Sequence, residues 1–150
     1  MPRSQTAPQA PAPSALQLQS AADSAVAADQ AEAEVARQQV KTQGLSGREA
    51  QTFLLARWVE RVNPFLRALA DKTRLSIVGV LAEREPMEVG VLAKELKVRS
   101  STMSQHLAIL RDARVIVMTK AGVRTLCSVN GPYVAWRLQQ VAQHLGEDRQ

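Results

Sequence analysis

The chain has 150 residues, 45% of them apolar and 3% aromatic, which allows one modest domain with a core of mainly Leu, Val and Ala, and not two. It has no apolar run long enough to span a membrane, no unbroken apolar stretch of a secretory signal at its start, and one cysteine, Cys127, with no partner in the chain, so a cytoplasmic protein is expected. The net charge of +5 is uneven, since residues 1–44 carry −1 and residues 94–124 alone carry +5, and that concentration points to a polyanionic partner.

Residues 1–44 stand apart by composition. Residues 1 to about 14 are rich in Pro, Ala, Gln and Ser, bury too little apolar surface to offset chain entropy, and are expected to be disordered. From Ala15 to Gln43 the Ala, Gln and Glu content favours helix, but Leu16, Leu18, Val26, Val35 and Val40 are sparse anchors, so a marginal helix or a tail ordered by a partner is expected. The domain proper is assigned to residues 45–150. Ser46 is placed to cap a helix reaching about Val62, with Phe53, Leu54, Leu55, Trp58, Val59 and Val62 as its stripe. Asn63-Pro64 reads as the cap and first position of a separate short helix, and Asp71 as the cap of the next, which Pro86 ends. Val89, Leu92, Ala93 and Leu96 then fall at i, i+3, i+4 and i+7 on one face of a short helix. The turn "KVRS" joins it to a helix running from Ser100 to about Ala113.

Two short amphipathic helices joined by such a turn make a helix-turn-helix. Met103, Leu107 and Leu110 form the apolar face of the second helix, while Ser101, Ser104, Gln105 and Ala108 line the opposite one. That outward face is small and uncharged. A solvated face ordinarily carries Lys and Glu, whereas a face entering the DNA major groove needs short hydrogen-bonding groups and no repelling carboxylates. On the plainer reading Ser100 is an N-cap and the other hydroxyls are merely tolerated. Two β-branched runs follow, "VIVMT" and "RTLCSV", separated by "KAGV", in which Gly122 supplies a positive φ and Lys120 and Arg124 flank the turn. A last helix opens at Gly131-Pro132, and Val134, Leu138, Val141 and Leu145 give it a seam suited to another helix, such as its copy in a second subunit.

The segments "FLRALADKTRLSIVGVL", "VGVLAKELKVRSSTMSQHLAILRDARVI" and "KAGVRTLCSV" together resemble the ArsR/SmtB family of dimeric winged-helix transcriptional repressors over about two thirds of the chain. Ser101, Thr102, Ser104, His106, Leu107 and Leu110 sit where that family's recognition helix has S-T-V-S-H-H-L-x-x-L. The resemblance implies a mainly α winged helix-turn-helix of five or six helices with a two-stranded hairpin wing, forming a homodimer through its first and last helices. It further implies that Ser100, Ser101, Ser104 and Gln105 face bases or nearby phosphates. Departures bear on the signal sensed. The family's E-L-C-V-C-D-L metal motif is replaced by "PMEVGVL", with Glu88 and Gly90 at the cysteine positions. Of the D-x-H-x10-H-x2-E/H site, His144 and Glu147 match while Gly131 and Tyr133 do not, and two ligands of four do not hold zinc tightly. Lys97 and Arg114 stand where the family often has glycine, and Cys127 where it usually has an aromatic residue.

A sequence-specific DNA-binding repressor is therefore expected, with Arg99, Ser100, Ser101, Thr102, Ser104, Gln105, Lys120 and Arg124 at the DNA and Trp58, Val134, Leu138, Val141 and Leu145 between subunits. No metal, cofactor or membrane is expected, and the inducer, a small molecule or a protein, is unspecified. No nucleophile, base and acid at recognisable spacing suggest an enzyme. The rival expectation is a protein-interaction module that uses the N-terminal extension and first helix, with the winged helix as scaffold.

Overall fold

The computed structural model describes residues 13–84 and 86–146. Six helices and three short strands follow in the order α1 (Ala15–Thr42), α2 (Gly47–Leu69), α3 (Lys72–Glu83), β1 (Met87–Glu88), α4 (Val89–Glu95), α5 (Ser100–Asp112), β2 (Ile116–Ala121), β3 (Arg124–Val129) and α6 (Gly131–Gly146).

The N-terminal segment is not a marginal helix. Residues 1–12, expected to be disordered, lie outside the described residues, but the next 28 form one continuous helix that opens on a reciprocal capping box. Gln17 N–H donates to Ser14 Oγ at 3.2 Å and Ser14 N–H donates to Gln17 Oε1 at 2.7 Å. Helix α1 packs on both α2 and α6. Its buried face is made of small residues, Ala22, Ala25 and Ala36, which let helix axes approach closely, and the first two belong to the main hydrophobic core. Asp29 on the same face accepts from Arg137 Nη2 of α6 at 2.6 Å and lies 3.3 Å from Arg61 Nε of α2, with all three side chains largely buried. Arg114 Nη1, after α5, donates to the Ala25 carbonyl at 3.2 Å. A boundary at residue 44 therefore cuts through the packed structure rather than between parts of it.

Pro64 does not begin a new helix either. It lies inside α2, which runs unbroken from Gly47 to Leu69. A proline there forfeits the bond to the carbonyl four residues earlier, and burial of Val62, Phe65 and Ala68 on either side of it anchors the helix through the defect. Ser46 occupies the cap position of α2 without a side-chain hydrogen bond. Asp71 does cap α3, accepting from Arg74 N–H at 2.9 Å, and that hydrogen bond holds its carboxyl below the usual aspartate value.

The core centres on Phe65, Ile77, Leu81, Leu92, Met103, Leu107, Leu110, Val115 and Cys127, all nearly inaccessible. Phe65 meets Tyr133 of α6 edge to face at 6.1 Å. The wing carries one strand more than expected, because β1 joins the hairpin in a sheet of order β1-β3-β2, antiparallel throughout. Met87 pairs with Cys127 and Glu88 with Leu126, so the central strand is β3. The hairpin turn is also tighter than read. Strand β2 continues through Lys120 to Ala121, which pairs with Arg124, and the turn is Gly122-Val123 with Gly122 at φ 64°.

Candidate nucleic-acid interface

Two chain reversals aim α4 and α5. After α4, Lys97 takes φ 54°, its N–H reaches the Lys94 carbonyl at 3.2 Å, and Val98 N–H reaches Ala93 at 3.0 Å. Arg114 repeats the arrangement after α5 at φ 63°, with Arg114 N–H on Arg111 at 2.8 Å and Val115 N–H on Leu110 at 2.9 Å. Both are Schellman ends, which ordinarily hold glycine. The flanking Val98 and Val115 pack on the core and keep the chain on this path despite the Cβ strain.

Helix α5 is divided as its pattern requires. Met103, Leu107 and Leu110 are 0–1% exposed, whereas Ser100, Ser101, Thr102, Ser104 and Gln105 are all exposed. Ala108, placed on the outward face by spacing, is half-buried, and Ile109 is 44% exposed instead. The structure corrects one detail of the hydroxyl run: Ser100 is the first helical residue, and the cap position belongs to Arg99, which makes no side-chain cap bond. The first-turn N–H groups consequently have no side-chain acceptor at the cap, and no acidic residue sits in that turn. A helix start of this kind favours an anion such as a phosphate.

His106 is half-buried on the inner flank of α5, its Nδ1 3.4 Å from Arg74 Nη1 and necessarily the acceptor, since a guanidinium only donates. The same Arg74 donates to the carbonyls of Ala68 at 2.8 Å and Arg67 at 3.1 Å, closing the end of α2. One guanidinium thus fixes α5 against α2 and α3. No sequence pattern marked Arg74 for this, because its partners are backbone carbonyls and a residue 32 positions away.

On the wing, Lys120 and Arg124 are exposed beside the turn, and Val123 at its tip is fully exposed. Arg124 Nε lies 3.9 Å from Glu88 of β1. Because Glu88 pairs with Leu126, Arg124 is its diagonal neighbour across the ladder, a contact that required knowing β1 was a strand. The residues expected between subunits separate into two groups. Trp58 is half-buried and stacked on His144 with centroids 3.9 Å apart, inside the chain's own α2–α6 contact. On α6, Leu138 and Leu145 are 45% and 72% exposed, with Val134 and Val141 half-buried between them.

The profile of a family described as "Helix-turn-helix domain" matches residues 69–119, from the end of α2 into β2. The HTH-type transcriptional regulator Rv2034 of Mycobacterium tuberculosis is 47% identical over 58 residues, 39% of this chain and 53% of that protein. The transcriptional repressor SmtB homolog of Synechocystis is 34% identical over 88 residues, 59% of this chain and 66% of that protein. A further relative, the transcriptional repressor PagR of Bacillus anthracis, is 33% identical and covered over 69% of its length. The chain belongs to the ArsR/SmtB family. It spans between about half and just over two thirds of the length of these three relatives. A crystal structure of a possible transcriptional regulatory protein from Mycobacterium bovis (fragment 1–100) superposes with a TM-score of 0.50 at 25% identity, covering 61% of this chain and 96% of that one.

The ArsR/SmtB positions that depart from the expected metal motifs have structural roles of their own. Glu88 and Gly90 lie at the junction of β1 and α4, with Glu88 turned toward Arg124. His144 stacks on Trp58, and Glu147 lies outside the described residues. Among the described residues no group of three His, Cys, Asp or Glu side chains is gathered to hold a metal ion. Cys127 is inaccessible at the centre of the sheet, and burial pushes its thiol up to about 11, well away from a reactive thiolate.

Proposed function

We propose that this chain is a homodimeric transcriptional repressor that reads an inverted-repeat DNA operator with α5 and holds flanking phosphates with its wing. The observation that carries the reading is the exposed, uncharged face of Ser100, Ser101, Thr102, Ser104 and Gln105, backed by the buried Met103, Leu107 and Leu110. Such a face costs helix stability and gains nothing from solvent, but it matches the donor and acceptor edges of the major groove. Gln105 supplies an amide able to bond an adenine edge in two places. Ser100, Ser101 and Thr102 surround the open helix start and suit a phosphate, as do Arg99, Lys120 and Arg124. Two copies related by a two-fold axis would present their α5 helices to successive major grooves about one helical turn apart.

In this reading the subunits meet along Val134, Leu138, Val141 and Leu145 of α6, with Trp58 and the exposed Leu55 and Val59 of α2 beside them. Glu88 and Gly90 occupy the positions that would supply thiolates before the turn, so no metal is held by thiolates at that location, and the inducer is left open. The relatives are named as transcriptional regulators, which favours this reading over an interaction module with a silent winged helix.

The test is a binding titration on a selected operator and on random DNA at several salt concentrations. Gln105→Ala is expected to cost about 1–3 kcal/mol at one base pair and to relax preference there. Arg124→Ala is expected to weaken both DNAs alike and reduce the salt slope by about one unit. Equal, weak binding to both DNAs by the unmodified protein would reject the reading.

A further inference from the structure

We infer that Ile109 reads the C5-methyl group of a thymine in the major groove, close to the base that Gln105 contacts. This role rests on the docking of α5 proposed above. Helix α5 turns Met103, Leu107 and Leu110 inward at 0–1% exposure but leaves a fourth large aliphatic, Ile109, 44% exposed. Thr102, Gln105 and Ile109 are spaced i, i+3 and i+7, so they share one stripe of the helix, and all three are exposed. Ala108, the small residue beside that stripe, is half-buried, which leaves Ile109 as the apolar group of the outward row.

A lone exposed aliphatic is ordinary on a protein surface. Here the row it completes and the charges around it give it a role. In the free domain an exposed β-branched residue on a helix gains little from burial and lowers helix propensity. His106, on the inner flank, is engaged with Arg74. Asp112, three residues beyond Ile109, carries a carboxylate that is 74% exposed and 3.4 Å from Arg111 Nη2. DNA phosphates repel that carboxylate, so Ile109 is the last residue of the uncharged row. Among the four bases thymine alone presents a methyl group in the major groove, and an aliphatic side chain complements it. The restricted χ1 of a β-branched residue keeps the entropic cost of that contact low. Gln105 and Ile109 are four residues apart, about 6 Å along the axis, against about 3.4 Å per base-pair step. The thymine therefore lies within about two base pairs of the base that Gln105 bonds, on either strand.

Replacing thymine by uracil removes the methyl group and keeps the pairing edge. In a duplex selected in vitro by the full chain, each thymine is replaced in turn by uracil and binding is titrated at one salt concentration. Uracil at one position per half-site, within about two base pairs of the position where Gln105→Ala relaxes preference, is expected to weaken binding about fourfold, as for one buried methyl group. Ile109→Ala, an exposed change to a stronger helix former, is expected to bind the thymine and uracil duplexes alike, and Ile109→Val to keep part of the difference. The assignment is overturned if no thymine there shows a penalty, or if Ile109→Ala keeps the same penalty. If the selected duplex outcompetes random DNA while uracil has no effect, the role of Ile109 falls and the docking of α5 stands. If the selection enriches no sequence, both fall.

Discussion

Replacing Asp29 by alanine tests whether α1 is an integral part of this protein. The carboxylate is the acidic partner of two guanidinium groups whose side chains are 4% exposed in Arg137 and 14% exposed in Arg61, and is itself 12% exposed. Removing one partner of a buried ion pair leaves the other charge without compensation and costs about 3–5 kcal/mol. Arg137 cannot shed its charge in response: burial disfavours it, but its bonds to Asp29 and Tyr133 outweigh that in the intact protein. Against a total stability of roughly 5–15 kcal/mol, the loss is about a fifth or more, equivalent to a fall in Tm of roughly 6–20 °C. Urea melts followed by tryptophan fluorescence and far-ultraviolet circular dichroism measure it, since both tryptophans lie beside α1 and α1 is the longest helix. Two controls bracket the result. Glu34→Gln breaks only the exposed pair with Arg37 and is expected to stay within about 0.5 kcal/mol. Adding Arg137→Leu to Asp29→Ala removes the stranded charge and is expected to restore part of the loss. A cost below about 1 kcal/mol with the helical signal unchanged would refute the docking of α1 through this cluster.

Three further outcomes are expected. Lys97→Gly relieves a left-handed strain of about 1–2 kcal/mol at an entropic cost of about 0.5–1 kcal/mol, so thermal melts should show a small gain; Arg114→Gly should gain less, because it also loses the bond to Ala25. Iodoacetamide should label Cys127 only as fast as the protein opens, because the thiol is inaccessible and held near 11, and rapid labelling of the native protein would contradict its placement. Asp71 should contribute to acid sensitivity. Its carboxyl is depressed in the fold, so its contribution is complete above the unfolded value near pH 4 and is lost as pH falls through the lower folded value. Asp71→Asn should flatten that part of the stability profile, and an unchanged acid limb would remove Asp71 from the account.

Where the pattern was local, the sequence was readable. The spacing of Val89, Leu92, Ala93 and Leu96, the three buried anchors of α5, the cap at Asp71 and the turn at Gly122 each follow from neighbours within a few residues. Helix α1 was underestimated because its anchors are alanines, weak in any hydrophobic pattern, and a carboxylate whose main partner is 108 residues away. Pro64 misled for a related reason: the local rule is sound, but burial on both sides of it overrides the rule. Strand β1 is two residues long and exists only through its register with β3, which no periodicity could have shown. At the candidate interface the outward face of α5 was legible as a chemical anomaly, whereas the Arg74 clamp and the Glu88–Arg124 contact arise from tertiary pairing.

The pairing of Met87 with Cys127 has a topological consequence. Both helices of the helix-turn-helix lie on the stretch of chain that this rung closes into a loop, with the entry strand clasped to the middle of the exit hairpin. A transplant of residues 69–119 into another scaffold would carry α4 and α5 and leave behind Lys120, Arg124 and β3, the strand that closes the loop. The reading unit is therefore not portable at the limits its sequence signature suggests, and grafts or split versions of it should be cut beyond β3.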